Sequence, residues 1–244
     1  MSMKIELEKE PKNPTIIEGF PGFGFVGTIC TEFLIEHLGA KKIGKVLSEK
    51  LEPMAAIKKG EIIEPLEIYY DKENNLIILR NLGSVSGKEW DLAEIIEKLG
   101  DKLDAKEIIS LEGVAGKGKK EEENKALYFT ENKKSEDKLK EAKLERLKNG
   151  IIKGVTGALI LGMEKIEIPL TSLFVKSHPE LPDSRGAGKI IKVLDKYLDL
   201  DVDYEPLMET AKEMEDKLKE LRKQLRMGKE KKELPDKSRN SYLG

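Results

Sequence analysis

Several residue types that carry much of protein chemistry are scarce in this 244-residue chain. It contains one cysteine, Cys30, and two histidines, His37 and His178. A single cysteine excludes an internal disulfide framework and a cysteine-based zinc site. None of the usual metal-ligand spacings, such as H-E-x-x-H, occurs, so we predict no metal site.

Long apolar runs are also missing. No stretch approaches the roughly 20 apolar residues of a membrane span, and the first residues lack the apolar segment of a signal peptide. We therefore expect a soluble, cytoplasmic protein.

Charge, by contrast, is abundant and nearly balanced. Charged residues make up 37% of the chain, with 44 basic and 46 acidic residues and a net charge of −2. This balance argues against a protein dedicated to nucleic acids or membrane surfaces, so we expect neither as a partner. Lys and Glu dominate while glutamine occurs once, a composition typical of hyperthermophiles, in which ion-pair networks replace thermolabile amides.

The hydrophobic pattern alternates between strands and helices. Strands are predicted at 14–20, 66–70, 76–81, 107–111, 126–130 and 171–175, and helices at 28–38, 88–103, 135–148 and 184–197. Alternation of this kind predicts an α/β fold with a layered sheet. We assign residues 1–204 to this domain, with a charged insertion at 116–149.

The C-terminal region has a different pattern. Apolar residues recur with the a/d spacing of a coiled coil over about two and a half heptads. This seam consists of Leu207, Ala211, Met214, Leu218, Leu221 and Leu225. It predicts an amphipathic helix over 205–227 that pairs with other helices; the alternative is a helix lying on its own domain. Residues 228–244 form a polar tail, either a tethered binding peptide or a frayed terminus.

One motif suggests a ligand. Gly22, Gly24 and Gly27 satisfy the dinucleotide-binding pattern G-x-G-x-x-G between a predicted strand and helix. Phenylalanines fill the variable positions, however, and the acid expected about 20 residues later is represented only by Glu49 and Glu52, beside a poor strand at 45–51. We therefore favour glycines that allow tight strand–helix packing, with Phe20, Phe23 and Phe25 in a core or an interface.

No catalytic constellation is apparent. Cys30 lies at an apolar helix start and is interpreted as a small core residue. Glu18 and Glu112 stand at strand ends, where α/β proteins form ligand sites, and are the acids to inspect for acid–base chemistry. We predict no catalytic residues and no cofactor.

The loop as a whole resembles a known signature. It consists of Gly19, Phe20, Pro21, Gly22, Phe23, Gly24, Phe25, Val26 and Gly27. Together with the segments 149–157 and 173–180 and the Pro182-Asp183 pair, it is similar to archaeal homologues of the type-two proteasome assembly chaperone family. The resemblance implies a three-layer α/β/α domain, similar in topology to purine nucleoside phosphorylases but without their catalytic residues. It also implies a homo-oligomer that assembles or activates the core-particle proteasome without catalysis.

Members of this family often end in a hydrophobic residue, a tyrosine and any residue, which dock between proteasome α-subunits. Here the chain ends in Tyr242, Leu243 and Gly244, so tyrosine is third from the end and Ser241 precedes it. This departure argues against gate opening but retains an aromatic group, an aliphatic group and a carboxylate for docking. The alternatives are a nucleotide-dependent enzyme, ATP-grasp-like or phosphorylase-like, with Gly22–Gly27 as its phosphate loop, and an adaptor for another partner.

Overall fold

The fold is built on a nine-stranded mixed sheet. The structure, a computed structural model, describes residues 3–58, 60–115, 125–162, 167–177 and 181–209. The strands are β1 (Lys4–Leu7), β2 (Thr15–Glu18), β3 (Lys41–Leu47), β4 (Ala56–Lys58), β5 (Glu61–Ile63), β6 (Leu66–Asp71), β7 (Leu76–Asn81), β8 (Glu107–Ala115), β9 (Ala126–Thr130), β10 (Glu145–Arg146) and β11 (Leu170–Ser177). The helices are α1 (Val26–His37), α2 (Glu89–Leu103), α3 (Lys133–Glu141), α4 (Gly154–Gly162) and α5 (Ser184–Leu198).

The spatial order of the sheet is β1-β3-β6-β7-β2-β8-β11-β9-β10, and β4 and β5 form a separate hairpin. The central strands β7, β2, β8 and β11 are parallel. From β2 the chain leads to β7 on one side and later crosses to β8 on the other. The strand order therefore reverses between β2 and β8, the position at which open α/β sheets bind ligands.

Both faces of the central sheet are buried. Alternate residues point to opposite faces, so Ile17 and Ile109 join one apolar cluster while Ile16 and Ile108 join the other. The first cluster includes residues of α1 and α5, and the second includes residues of α2 and α4. Helices thus cover both faces of the parallel strands, which explains why these strands have continuous apolar sequences.

The mixed α/β fold predicted from the sequence is confirmed, with differences at the edges of the sheet. The helix predicted at 135–148 is present but shorter: α3 spans Lys133–Glu141, and Lys143 adopts a φ of 61°, which turns the chain into β10. The segment 126–146, inside the predicted charged insertion, supplies the edge strands β9 and β10. Strand β3 is not predicted by the sequence pattern, which indicates only a poor strand at 45–51.

An ion-pair network of the kind expected from the composition lies across β3, β6 and β7. Lys42 Nζ contacts carboxylate oxygens of Glu64 at 2.7 Å and of Glu67 at 2.6 Å. Arg80 extends the network, with Nη1 at 3.2 Å from Glu67 Oε2. Because Glu67 and Arg80 are both buried, these charges compensate each other away from solvent.

The structure describes only the first residues of the predicted C-terminal helix. Residues 205–209 are helical, and Leu207 is buried in the cluster that contains α1 and α5. The first seam residue therefore packs on its own domain, and the remaining five lie outside the described residues. The described part of the chain contains no helix with the length and hydrophobicity of a membrane span.

Candidate functional site

The glycine-rich loop joins β2 to α1 at the reversal point of the sheet. Phe23–Phe25 form a 3₁₀ turn, within which Gly24 has a φ of 63°. Phe25 also has a positive φ, 50°, and α1 begins at the next residue. Left-handed conformations at two successive positions turn the chain sharply from strand to helix.

Close backbone contacts explain the glycines of this loop. A Cβ on Gly19 would lie 2.4 Å from the carbonyl oxygen of Gly27, and a Cβ on Gly27 would lie 2.4 Å from that of Leu111. On the neighbouring strand, a Cβ on Gly113 would lie 2.0 Å from the Phe23 oxygen. These distances are too short for any side chain. The loop is thus packed directly against β8, which favours the packing interpretation.

The phenylalanines of the loop have three different environments. Phe20 is buried in the cluster that contains α2 and α4, and Phe23 is partly exposed. Phe25 is 44% exposed. Phe20 therefore fits the predicted core role. Phe25 lies on the surface, where it is available for an interface.

A dinucleotide site does not fit this loop. The fingerprint requires a second parallel strand ending in an acid, but the segment before Glu49 and Glu52 is β3, which pairs antiparallel with both of its neighbours. The loop amide of Phe25 is already bonded to the Gly22 carbonyl at 3.1 Å. The cavity beside the loop is lined by two carboxyl groups, those of Glu18 and Glu112, which would repel a phosphate when ionised.

These two carboxyl groups are brought together by the register of β2 and β8. Glu18 lies opposite Ser110, and Glu112 follows two residues later on the same face. The Thr156 hydroxyl from α4 donates to Glu112 Oε2 at 3.0 Å and lies 2.8 Å from the Ser110 hydroxyl. A polar group of two acids and two hydroxyls therefore stands within an apolar layer.

Glu18 is incompletely satisfied in this position. Its side chain is 1% exposed, and Oε2 accepts a 3.3 Å hydrogen bond from the Phe20 amide. Oε1 is buried and has no hydrogen-bond partner among the described residues. A buried carboxylate oxygen without a partner is costly, which makes this atom unusual.

Burial changes the protonation of both acids. Desolvation raises the pKa of Glu18 to about 7, and the nearby Ser110 hydroxyl and Phe20 amide oppose this shift only in part. Desolvation, together with the charge of Glu18, raises the pKa of Glu112 to about 8. The pair therefore retains protons near neutral pH, where exposed glutamates would be ionised.

The two acids line a cavity of about 190 Å³ between the loop and the start of α4. Its other lining residues are Phe20, Pro21, Gly22, Phe23, Val85, Lys153, Gly154 and Val155. Lys153 is exposed, whereas Phe20 and Val155 are buried. The cavity thus has a buried acidic part, apolar walls and a cation at its exposed side.

The sequence identified part of this site. The sequence singles out Glu18 and Glu112 as strand-end acids, and the structure places them together. Glu18 does end β2, whereas Glu112 lies inside β8, which continues to Ala115. Ser110, Thr156 and Lys153 were not recognised, because a hydroxyl or a lysine in an apolar or charged segment has no distinctive signal.

The other chemistry-bearing residues lie elsewhere. Cys30 is buried, its Sγ lies 3.5 Å from the Ala187 oxygen, and burial raises the pKa of its thiol, which fits a core residue. His37 stacks on Phe33 with ring centroids 5.1 Å apart. His178 and the tail residues Tyr242, Leu243 and Gly244 lie outside the described residues. Within the described ranges, no three His, Cys, Asp or Glu side chains are grouped as metal ligands would be.

Known proteins resemble this chain over most of its length, both in sequence and in structure. An uncharacterized protein of Methanocaldococcus jannaschii is 32% identical over 242 residues, covering 95% of this chain and 94% of that protein. The crystal structure of Pyrococcus furiosus PbaA, an archaeal homologue of proteasome-assembly chaperone, matches with a TM-score of 0.81 and 29% identity, covering 94% of this chain and 96% of PbaA.

A second Pyrococcus furiosus structure, that of the archaeal proteasome activator PbaB, matches with a TM-score of 0.74 and 26% identity, covering 91% of this chain and 99% of PbaB. The profile of the PAC2 family matches residues 16–222, which include the glycine-rich loop, both acids and most of the sheet. The chain therefore belongs to the PAC2 family.

Proposed function

We propose that this protein is a non-enzymatic, homo-oligomeric proteasome assembly chaperone or activator that acts in the cytoplasm. The observation that carries the proposal is its similarity over nearly its whole length to PbaA and PbaB, whose names describe a chaperone homologue and a proteasome activator. The partner we assign is the ring of core-particle α-subunits, contacted by the C-terminal tail.

The glycine-rich loop supports binding without turnover. Its glycines pack against the backbone of β8, and its adjoining cavity is lined by two acids that repel a phosphate once they are ionised. An enzyme that used Gly22–Gly27 as a phosphate loop would instead present open amides in a positive environment. The geometry thus weighs against the nucleotide-dependent alternative.

Exposed apolar side chains support self-association. In the β4–β5 hairpin, Ile57 and Ile62 are cross-strand partners with 77% and 67% of their surface exposed. An apolar pair on a projecting hairpin is typical of an interaction surface. We assign this hairpin to contacts between copies of the chain. Several tails on one oligomer would then bind together, and avidity would compensate for a weak individual peptide.

The tail is tested by pull-down with core-particle proteasome. We compare the full chain, a chain that stops after Asp236, and a full-length control with Lys237→Ala. We expect the truncated chain to lose binding by about tenfold or more, and the control to bind normally. Equal binding by the full and truncated chains would remove the tail from the mechanism.

The enzymatic alternative has its own test. A nucleotide at 100 times its dissociation constant would stabilise the folded protein by about 2.7 kcal/mol, which a thermal melt detects readily. We expect no such shift across a panel of nucleotides. A reproducible stabilisation that Gly24→Asp abolishes in a folded protein would favour the phosphate-loop alternative.

A further inference from the structure

The cavity between the glycine-rich loop and α4, which we call the acid pocket, has features that its structural role does not explain. Glu18 Oε2 accepts a hydrogen bond from the Phe20 amide of the loop, but Oε1 takes no part in this contact, and the approach of the glycines to β8 does not require two acids on the buried face of the sheet. An apolar residue at position 18 would fill the same place next to Ile16 and Phe20 without a desolvation cost.

The unpartnered oxygen of Glu18 indicates which kind of ligand the pocket would bind. Glu18 lines the pocket, is 1% exposed, and leaves Oε1 without a hydrogen-bond partner among the described residues. Glu112, from the adjacent strand, lines the same cavity and accepts its side-chain hydrogen bond from Thr156. Two carboxyl groups therefore converge on one space, and Glu18 Oε1 is free to accept a further hydrogen bond there, which suits a ligand that donates hydrogen bonds.

The walls restrict the ligand further. Phe20, Phe23, Pro21, Val85 and Val155 contribute apolar and aromatic surface around the acids. At about 190 Å³ the cavity is smaller than the 300 Å³ or more of a typical cofactor site, so it fits a single small group. An aliphatic stem would lie against these walls, and a cation beside the phenylalanines would gain attraction from their rings.

Other ligand classes fit less well. A divalent metal ion prefers more than two carboxylate ligands, and no third acid or histidine joins the pair within the described ranges. A phosphate or carboxylate fits less well, because Lys153, the cation that lines the pocket, is exposed at its rim and ionisation of either acid would repel the anion. We propose that the acid pocket binds the primary ammonium group of a small aliphatic amine, with Glu18 and Glu112 as acceptors.

The charges around the pocket set its pH dependence. The charged groups that line it are Glu18, Glu112 and Lys153. An ammonium ligand binds best to ionised carboxylates, so it lowers their raised pKa values and releases protons. Affinity therefore rises from pH 6 to pH 8.5, while the amine stays charged. Lys153 is exposed at the rim and makes no ion pair within the described residues, so it opposes the bound cation.

The test is calorimetric titration of the full-length protein with n-butylamine, using 1-butanol as a neutral probe of the same shape. We expect butylamine to bind and butanol not to bind. At pH 7.5, repeating the titration in buffers of different ionisation enthalpy should show protons released on binding. Absence of heat at millimolar butylamine, equal binding of butanol, or proton uptake would each overturn the proposal.

Variants locate the site. Glu18→Gln and Glu112→Gln keep the side-chain shape and should each weaken butylamine binding about tenfold or more, the usual loss for a hydrogen bond to a charged group. Glu94→Gln, on the exposed face of α2, is the control and should bind like the unaltered protein. Lys153→Gln should bind several-fold more tightly. If both Gln variants fold and bind normally, the amine does not occupy the acid pocket.

A second probe distinguishes two sources of the ammonium group, a free amine and a lysine side chain of a partner. Nα-acetyl-lysine methylamide carries the ammonium on a lysine side chain. Binding of butylamine alone assigns the pocket to free amines, whereas comparable binding of both assigns it to an inserted lysine of a partner; either supports the ammonium site. The proposal does not depend on the proteasome function, since every measurement uses the isolated protein.

Discussion

At the scale of single residues, the closest backbone contacts in the loop determine which positions tolerate substitution. Gly27 of α1 and Gly19 of the loop approach each other and β8 so closely that no Cβ fits at either position. Gly150, before α4, offers the opposite case, because its nearest neighbours are side-chain atoms of Leu147 at 3.5 Å or more. Gly27 and Gly150 are therefore a matched pair of positions for testing the effect of an added methyl group.

We expect Gly27→Ala to destabilise the fold by about 3 kcal/mol or more, since the added methyl group collides with the Leu111 oxygen and the Gly19 backbone, neither of which moves freely. Gly150→Ala should change the unfolding free energy by less than about 0.5 kcal/mol. Urea denaturation measures both. Equal stability of the two variants would contradict the packing role of the loop.

The acid pair predicts an unusual pH dependence of stability. Because the folded pKa of Glu18, about 7, lies above the unfolded value of 4.5, the folded state binds more protons between these pH values. The contribution of Glu18 to the free energy of unfolding is therefore most favourable below about pH 4.5 and is lost as pH rises to 7. The loss is of order 3 kcal/mol.

We expect Glu18→Gln to remove this loss, so that the variant gains stability relative to the unaltered protein at pH 8 but not at pH 5. Urea denaturation at the two pH values measures the difference, with Glu94→Gln as the surface control. A gain of the same size at both pH values would show that Glu18 titrates normally in the folded protein.

At the scale of elements, α5 shows how a local signal fixes a helix boundary. The sequence predicts a helix over 184–197, and α5 spans Ser184–Leu198. Asp183 caps it, with Oδ1 accepting a 2.7 Å hydrogen bond from the Gly186 amide. The Asp183 amide in turn donates to the Gly24 oxygen at 2.8 Å, so the cap also connects α5 to the glycine-rich loop.

Loss of the cap should cost about 1 kcal/mol in Asp183→Ala, whereas Asp183→Asn should retain most of the stability because asparagine caps equally well. Thermal denaturation compares the two variants with the unaltered protein. A similar loss in both would mean that the charge of Asp183, rather than its hydrogen bond, stabilises α5.

At the scale of the whole molecule, the proposed self-association rests on the β4–β5 hairpin. The β4–β5 hairpin lies outside the nine-stranded sheet and exposes Ile57 and Ile62. Both residues contribute little to the apolar core of one chain. Their substitution therefore tests association separately from folding.

We expect the double variant Ile57→Lys, Ile62→Glu to reduce the mass of the native complex while leaving the fold intact, because the new cross-strand pair has opposite charges and preserves the hairpin. Native mass spectrometry and circular dichroism measure the two effects. Ile151→Lys, at a side chain that is 85% exposed, is the control. An unchanged mass in the double variant would place the self-association surface elsewhere.

The sequence by itself determined the features that depend on local spacing. Apolar periodicity indicated most of the central strands and the helices α1, α2 and α5, and the glycine-rich nonapeptide indicated the family. The sequence pattern does not reveal strand β3 because Gly44 and Lys45 separate its buried residues Ile43 and Val46, and a bulge between Lys42 and Gly44 interrupts the alternation of faces. Pairing with β1 and β6, rather than local preference, makes this segment a strand.

Only the tertiary structure decided the character of the acid pair. Glu18 and Glu112 are distant in sequence and ordinary in composition. They meet because β2 and β8 become neighbours where the strand order reverses. Their raised pKa values, the unpartnered Oε1 and the cavity beside them follow from burial and register, and no local pattern encodes these. Spacing along the chain sets secondary structure, but desolvation depends on which segments pack together.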